Sequence, residues 1–169
     1  MLFPFTNPSA ISTTAPLLHT VDQMSHALGL DVPPVVDLEQ LRQLSPGTLG
    51  RCLADELDRQ QLKPLTTGPR RKQLHDSVHT LTGYGTDPVG ELEVQAFLLG
   101  STFRLTHVLL GLGLLRLIHQ SVNIEPQQLQ KRFWQAYERG QNSSFNLDDW
   151  RPEDHWNSSL ASVRLQLGI

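Results

Sequence analysis

Cysteine, aromatic residues and charge are all scarce in this 169-residue chain: one cysteine, 7% aromatics and 18% charged residues. The lone Cys52 excludes an internal disulfide and a cysteine-rich zinc module, and it points to a reducing compartment. Positive charge is not in excess. Fourteen Lys and Arg stand against 17 Asp and Glu, a formal net charge of −3, which leaves no domain-wide basic footprint for a nucleic acid. No Lys or Arg precedes Arg42, so neither the charged start of a secretory signal nor an arginine-bearing transit peptide is present, and a cytoplasmic location is expected. Alternation of Val, Ile and Thr at the period of a strand is nearly absent, while leucine abounds. The expectation is an all-α fold, one helical bundle of about six to seven helices over residues 16–169, after an irregular lead-in at 1–15.

Punctuation marks the helices. A first helix is expected over 16–28, stopped by Gly29, and a short one over 37–44. Ser45-Pro46 reads as N-cap and N1 of a helix reaching Gln61, with Cys52 on its apolar, buried stripe. A helix is expected over 70–81, followed by a turn at Thr82-Gly83-Tyr84-Gly85. Asp87-Pro88 repeats the cap pattern and opens the longest helix, to about His119. Glu125-Pro126 opens another, ending near Gly140 as the residue past its C-terminus. Residues 141–156 read as a polar loop, and a last helix covers about 157–167. The greasiest stretch, Ala96 to Ile118, has the ~20-residue length of a membrane span. Arg104, Thr106, His107 and Arg116 interrupt it, so a buried core helix is the expectation.

The chemistry concentrates in His75-Asp76-Ser77-Val78-His79. On a helix, steps of one and four residues turn by about 100° and 40°, which keeps His75, Asp76 and His79 on one face. Glu91 follows His79 after eleven intervening residues, in the first turn of the next helix, where the helix dipole favours a carboxylate. The glycine-rich turn at 83–85 would fold that helix start back towards the histidines. Two imidazoles and two carboxylates form a hard-to-borderline site for a divalent ion: zinc first, with iron, manganese or magnesium also compatible. One turn earlier, Arg70-Arg71-Lys72 is the dense basic cluster, suited either to solvent or to an anion such as a ligand phosphate or a lipid headgroup. The helix after Glu91 is apolar around most of its circumference, which means either full burial or contact with a lipid-like ligand. Phe97, Leu98, Phe103, Leu109 and Leu110 are its expected lipid-facing side chains. Gly100, Gly111 and Gly113 each cost that helix ~1 kcal/mol against Ala, so close helix packing should compensate. His107 and His119 lack spaced partners and read as packing or surface residues.

His75-Asp76-x-x-His79, eleven residues, then Glu91 resembles the motif of the ubiquinone (coenzyme Q) biosynthesis protein family known for HDxxH-x11-E. Gly47-Thr48-Leu49-Gly50-Arg51, Leu81-Thr82-Gly83-Tyr84 and Gly90-Glu91-Leu92 are also similar to that family. So are Ala136-Tyr137-Glu138-Arg139-Gly140 and the closing Val163 to Ile169, so that the likeness covers roughly residues 35–169. The resemblance implies an all-helical fold with His75, Asp76, His79 and Glu91 as metal ligands. It implies binding of a polyprenyl lipid or prenylated quinone precursor, peripheral attachment to a membrane surface and association with other quinone-biosynthesis proteins. It further implies either removal of the ring carboxylate at C1 with hydroxylation of that carbon, or a non-catalytic scaffold. A homodimer is expected from leucine-rich helices with little surface charge. A metal-dependent phosphohydrolase is the competing class, and it would need His19 or His26 and the distant Asp148 as extra ligands.

Overall fold

The computed structural model describes residues 32–169. The lead-in at 1–15 and the helix expected over 16–28 lie outside the described residues, as do His19 and His26. Within them the fold is all-helical: α1 (Leu38–Arg42), α2 (Leu49–Gln60), α3 (Arg70–Gln73), α4 (His75–Thr82), α5 (Pro88–Ser101), α6 (Leu105–Ser121), α7 (Pro126–Asn142) and α8 (Leu160–Leu167), with a 3₁₀ turn at Pro152–Asp154. No strand forms among the described residues; Thr48 and Ser159 make one isolated antiparallel bridge.

The cap signals account for the starts of α5 and α7. Asp87 accepts from Val89 N at 3.0 Å and Gly90 N at 3.2 Å, with Pro88 at the first helical position of α5. Pro126 opens α7. At α2 the cap is Thr48, which accepts from Arg51 N at 3.3 Å, and not Ser45. Gly47 at φ +82° turns the chain after Ser45-Pro46, a conformation that glycine adopts without steric cost. Cys52 is half-buried rather than buried. The helix expected over 70–81 is divided at Leu74 into α3 and α4. Leu74 N to Arg70 O at 3.0 Å and Val78 N to Leu74 O at 3.2 Å carry the helical sense across the division.

Two departures are larger. The single helix expected over 87–119 is broken at Thr102–Arg104, where Thr102 and Arg104 are extended. No Gly or Pro marks the break. Its polar side chains find partners in the 143–151 segment: Thr102 Oγ1 lies 3.4 Å from Asn146 Oδ1, and Arg104 pairs with Asp148. The burial expected of residues 96–118 therefore holds only before the break. Ala96, Phe97 and Leu98 are in the core, whereas α6 buries only His107, Gly111 and Ile118. Phe103 is 75% exposed and Leu105, Leu109, Leu110, Leu112 and Leu115 are also exposed. No helix of the described residues is long and apolar enough to cross a membrane.

The main core joins Leu49 of α2, Leu74, Val78 and Leu81 around the histidine helix, Val94 and Phe97 of α5, and Val163 of α8. Residues 141–156 contribute to it. Phe145, Leu147 and Trp150 are buried there, so this segment is a structural plug rather than a polar surface loop. Alternation of large apolar and charged side chains disguised it. α5 and α7 pack closely at Gly100 and Gly140. A Cβ on Gly140 would lie 2.0 Å from Phe97 O, and one on Gly100 would lie 2.1 Å from Tyr137 O. Gly140 thus lies inside α7 as a crossing point, not past its end.

Candidate metal centre

Side-chain hydrogen bonds fix the histidine helix at both ends. Gln73, fully buried, donates through Nε2 to Val32 O (3.1 Å) and Gly68 O (3.2 Å) and accepts from Val35 N (2.9 Å). At the other end Arg164 donates to Leu81 O (2.8 Å) and Thr80 O (3.0 Å), and Arg139 donates to Thr82 O (2.7 Å). Cations on the last carbonyls of a helix satisfy acceptors with no intrahelical donor and complement the negative end of its dipole. Gly83 at φ +78° then reverses the chain. The turn presses against the start of α5 so closely that a Cβ on Gly90 would lie 2.1 Å from Gly85 O. That approach brings Glu91 onto the histidines.

His75, His79 and Glu91 each offer a ligand atom within 4.8 Å of the others, an arrangement able to hold a metal ion. His75 Nε2 lies 3.1 Å from His79 Nε2 and 3.1 Å from Glu91 Oε2, and His79 Nε2 lies 3.2 Å from Glu91 Oε1. Ligands held at ~2.1 Å with tetrahedral angles stand about 3.4 Å apart, so the observed spacings fit a tetrahedral ion after small adjustment. The tautomer fits as well. His79 Nδ1 is 3.1 Å from Tyr84 O and must donate to it, so that in the neutral imidazole a metal requires it is Nε2 that offers its lone pair to the centre. The side chain of His79 is 4% exposed, while those of His75 and Glu91 are 28% and 27% exposed; the centre is closed beneath and open at one side.

Charge is organised around the same point. Burial opposes ionisation of Glu91, but hydrogen bonds from His75 and His79 and their charge bring its pKa down to about 2. Burial alone would lower His79, and the bond and charge of Glu91 outweigh it and raise its pKa. Asp76 is different. Burial raises its pKa despite His75 and the Leu65 amide, its Oδ2 accepts from Leu65 N at 3.3 Å, and it stands outside the trio of converging ligand atoms.

The basic cluster is partly neutralised. Arg70 pairs with Glu153 at 2.7 Å and donates to Trp150 O; Arg71 pairs with Asp148. Asp148 is therefore taken up by Arg71 and Arg104 and is not in the group around the histidines. Of the expected lipid-facing residues, Phe97 and Leu98 are sealed in the core, and Phe103, Leu109 and Leu110 are exposed. His107 is buried, as expected of a packing residue, and His119 is exposed. The parts that motif reasoning did not assign are the supports: Gln73, Arg139, Arg164 and the Tyr84 carbonyl. Their only advance signal was that Tyr84, Arg139 and Arg164 fall in segments of family likeness.

Residues 33–169 match the family model described as "Coenzyme Q (ubiquinone) biosynthesis protein Coq4". Among curated relatives, the mitochondrial ubiquinone biosynthesis protein COQ4 homologs of Xenopus laevis and Homo sapiens are each 31% identical over 150 residues, 79% of this chain. The alignment spans 51% and 55% of those proteins, so the chain covers about half the length of the curated relatives it matches. The crystal structure of a protein from Nostoc punctiforme, described as a ubiquinone biosynthesis protein, superposes with a TM-score of 0.68 at 24% identity, over 81% of this chain and 70% of that one. That likeness speaks for the fold. With its family model matched over residues 33–169, this chain belongs to the coenzyme Q biosynthesis protein Coq4 family.

Proposed function

We propose that this chain acts in ubiquinone biosynthesis on a polyprenylated aromatic acid, with a divalent ion held by His75, His79, Glu91 and Asp76. The observation that carries the reading is the convergence of the two imidazole Nε2 atoms, 3.1 Å apart, each with one Glu91 oxygen at 3.1 or 3.2 Å. Zinc is the first choice for such donors, with iron, manganese and magnesium as alternatives. When bound, the ion would supply Lewis acidity beside the aromatic ring for loss of the C1 carboxylate as CO₂ and hydroxylation of that carbon, a two-electron oxidation with dioxygen as the electron acceptor and water as the source of the hydroxyl. The chain's own groups prepare the site. The Tyr84 carbonyl keeps the His79 proton on Nδ1, and Glu91 stays ionised across the physiological range. Asp76 completes the ligand set if its carboxylate turns from the Leu65 amide. Arg70, Arg71 and Lys72 meet the anionic group of the substrate. The polyprenyl tail runs over Phe103, Leu109 and Leu110, with Phe97 and Leu98 beneath as packing.

The exposed leucine face of α6 also supports a second reading, a lipid-binding scaffold that gathers quinone-biosynthesis proteins at a membrane surface, as a monomer or homodimer. One experiment separates the two. Metal-loaded protein is incubated in air with a polyprenylated aromatic acid labelled with 13C in its carboxyl group. Release of labelled CO₂ that Glu91→Gln abolishes supports the enzyme. Retention of the lipid with its label intact supports the scaffold. Neither turnover nor lipid retention refutes both.

A further inference from the structure

A second polar cluster lies beside the metal centre, one helical turn before His75. Arg71 Nη1 and Arg104 Nη2 hold the two oxygens of the same carboxylate, that of Asp148. Arg71 Nη2 lies 3.1 Å from His107 Nε2, and His107 Nδ1 lies 2.9 Å from Gln95 Oε1. A guanidinium only donates and an amide oxygen only accepts, so His107 carries its proton on Nδ1 and is neutral. Burial, and then the charges of Arg71 and Arg104, lower its pKa to about 4. Within this cluster two guanidinium groups therefore face one carboxylate, and a positive charge is left over. The pair is accessible: the Asp148, Arg71 and Arg104 side chains are 31%, 31% and 47% exposed. Asp148 belongs to no helix. His107 and Gln95 are also the polar residues in the lining of a cavity of about 100 Å³ whose apolar walls include Leu99, Leu112, Leu115 and Phe133.

We propose that Arg71 and Arg104 form an anion-binding fork for a carboxylate or phosphate carried on an apolar molecule, with Asp148 as the internal anion that such a group displaces. Planar guanidinium pairs recognise both oxyanions with the same two-point geometry, and exchange of one carboxylate for another leaves the desolvation of the fork unchanged. The apolar cavity that His107 lines suits the body of the same molecule. This deepens the reading above by moving the anion contact from Arg70-Arg71-Lys72 to Arg71 and Arg104, and it rests on that reading only for the identity of the apolar body.

The test uses the full chain and two bare anions, benzoate and inorganic phosphate, each titrated separately by calorimetry. Asp148→Asn is expected to bind at least one of them about tenfold more tightly than the parent protein, because the internal competitor is gone. Adding Arg104→Gln to that variant should remove the gain. Response to benzoate alone identifies a ring carboxylate as the natural anion, and response to phosphate alone identifies a phosphate headgroup; either supports the fork. In the parent protein, 15N signals of the Arg71 and Arg104 side chains should shift on titration while that of Arg70, paired with Glu153, stays in place. This decides the matter if Asp148→Asn does not fold. Unchanged affinity in Asp148→Asn, or side-chain signals that ignore both anions, overturns the fork and makes Asp148 a structural tie. No readout involves metal or turnover, so failure here is distinct from failure of the metal-centred reading.

Discussion

Replacing Gly140 by Ala adds one methyl group at the place where α5 and α7 touch backbone to backbone. The new Cβ would lie 2.0 Å from Phe97 O, 2.9 Å from Phe97 C and 3.1 Å from Phe97 Cα. Carbon–oxygen contact needs more than 3 Å, so the helices must separate by about 1 Å, and Phe97, fully buried, loses contacts on its whole perimeter. Overpacking usually costs ~1–3 kcal/mol. Here the obstacle is main chain that has no rotamer to yield, which puts the loss at ~3 kcal/mol or more. Gly113→Ala is the matched control. It is the same substitution inside a helix, but nothing lies within 4 Å of its Cβ, so relief of glycine's helix penalty should stabilise by ~0.5–1 kcal/mol. Urea unfolding followed by circular dichroism measures both, and at ~1–3 kcal/mol per molar urea the Gly140→Ala midpoint should fall by about 1 M or more. A Gly140→Ala midpoint within about 0.2 M of the parent's would refute the argument, for then α5 and α7 do not meet at this glycine.

Two further outcomes are expected. The depressed pKa of His107, about 4 against an ordinary 6.5, means that the unfolded chain takes up a proton here before the folded one does. Stability from this group is full above about pH 6.5 and is lost as pH falls towards 4, by ~3 kcal/mol at most. His107→Gln should flatten that part of the pH–stability curve, and an unchanged slope contradicts the buried neutral imidazole. Glu93 is nearly buried and holds Arg132 of α7 through two bonds of 2.8 and 2.6 Å. Because the Arg132 side chain is 38% exposed and can be solvated by water, Glu93→Gln should cost ~1–2 kcal/mol in thermal or urea unfolding rather than the larger penalty of a stranded buried charge.

How much of this was legible in the amino-acid sequence depended on the range of the cause. The α5 and α7 starts, the Gly83 turn and the joint placement of His75, His79 and Glu91 follow from local rules of capping, positive φ and helical period, and each was readable. The break at Thr102–Arg104 was not, because the groups its side chains meet, Asn146 and Asp148, are more than forty residues away. For the same reason Arg71 could be read as an anion contact, but its partner Arg104 could not. The helix glycines shared one expectation and met three fates. Gly100 packs against backbone, Gly111 makes an ordinary contact with Leu92, and Gly113 meets nothing; composition carries no information on which helix face finds a neighbour. Leucine density misled in α6 because burial and exposure of an apolar face have the same sequence, and the exposed leucines of α6 form an apolar surface left open among the described residues.

Metal content tests the central claim most directly. Native mass spectrometry of gently purified protein should find one divalent ion per chain, lost in both His75→Ala and Glu91→Gln while circular dichroism stays that of a helical fold. A parent protein that remains metal-free in metal-replete buffer, or an ion retained by both variants, would contradict the assignment of His75, His79 and Glu91 as its ligands.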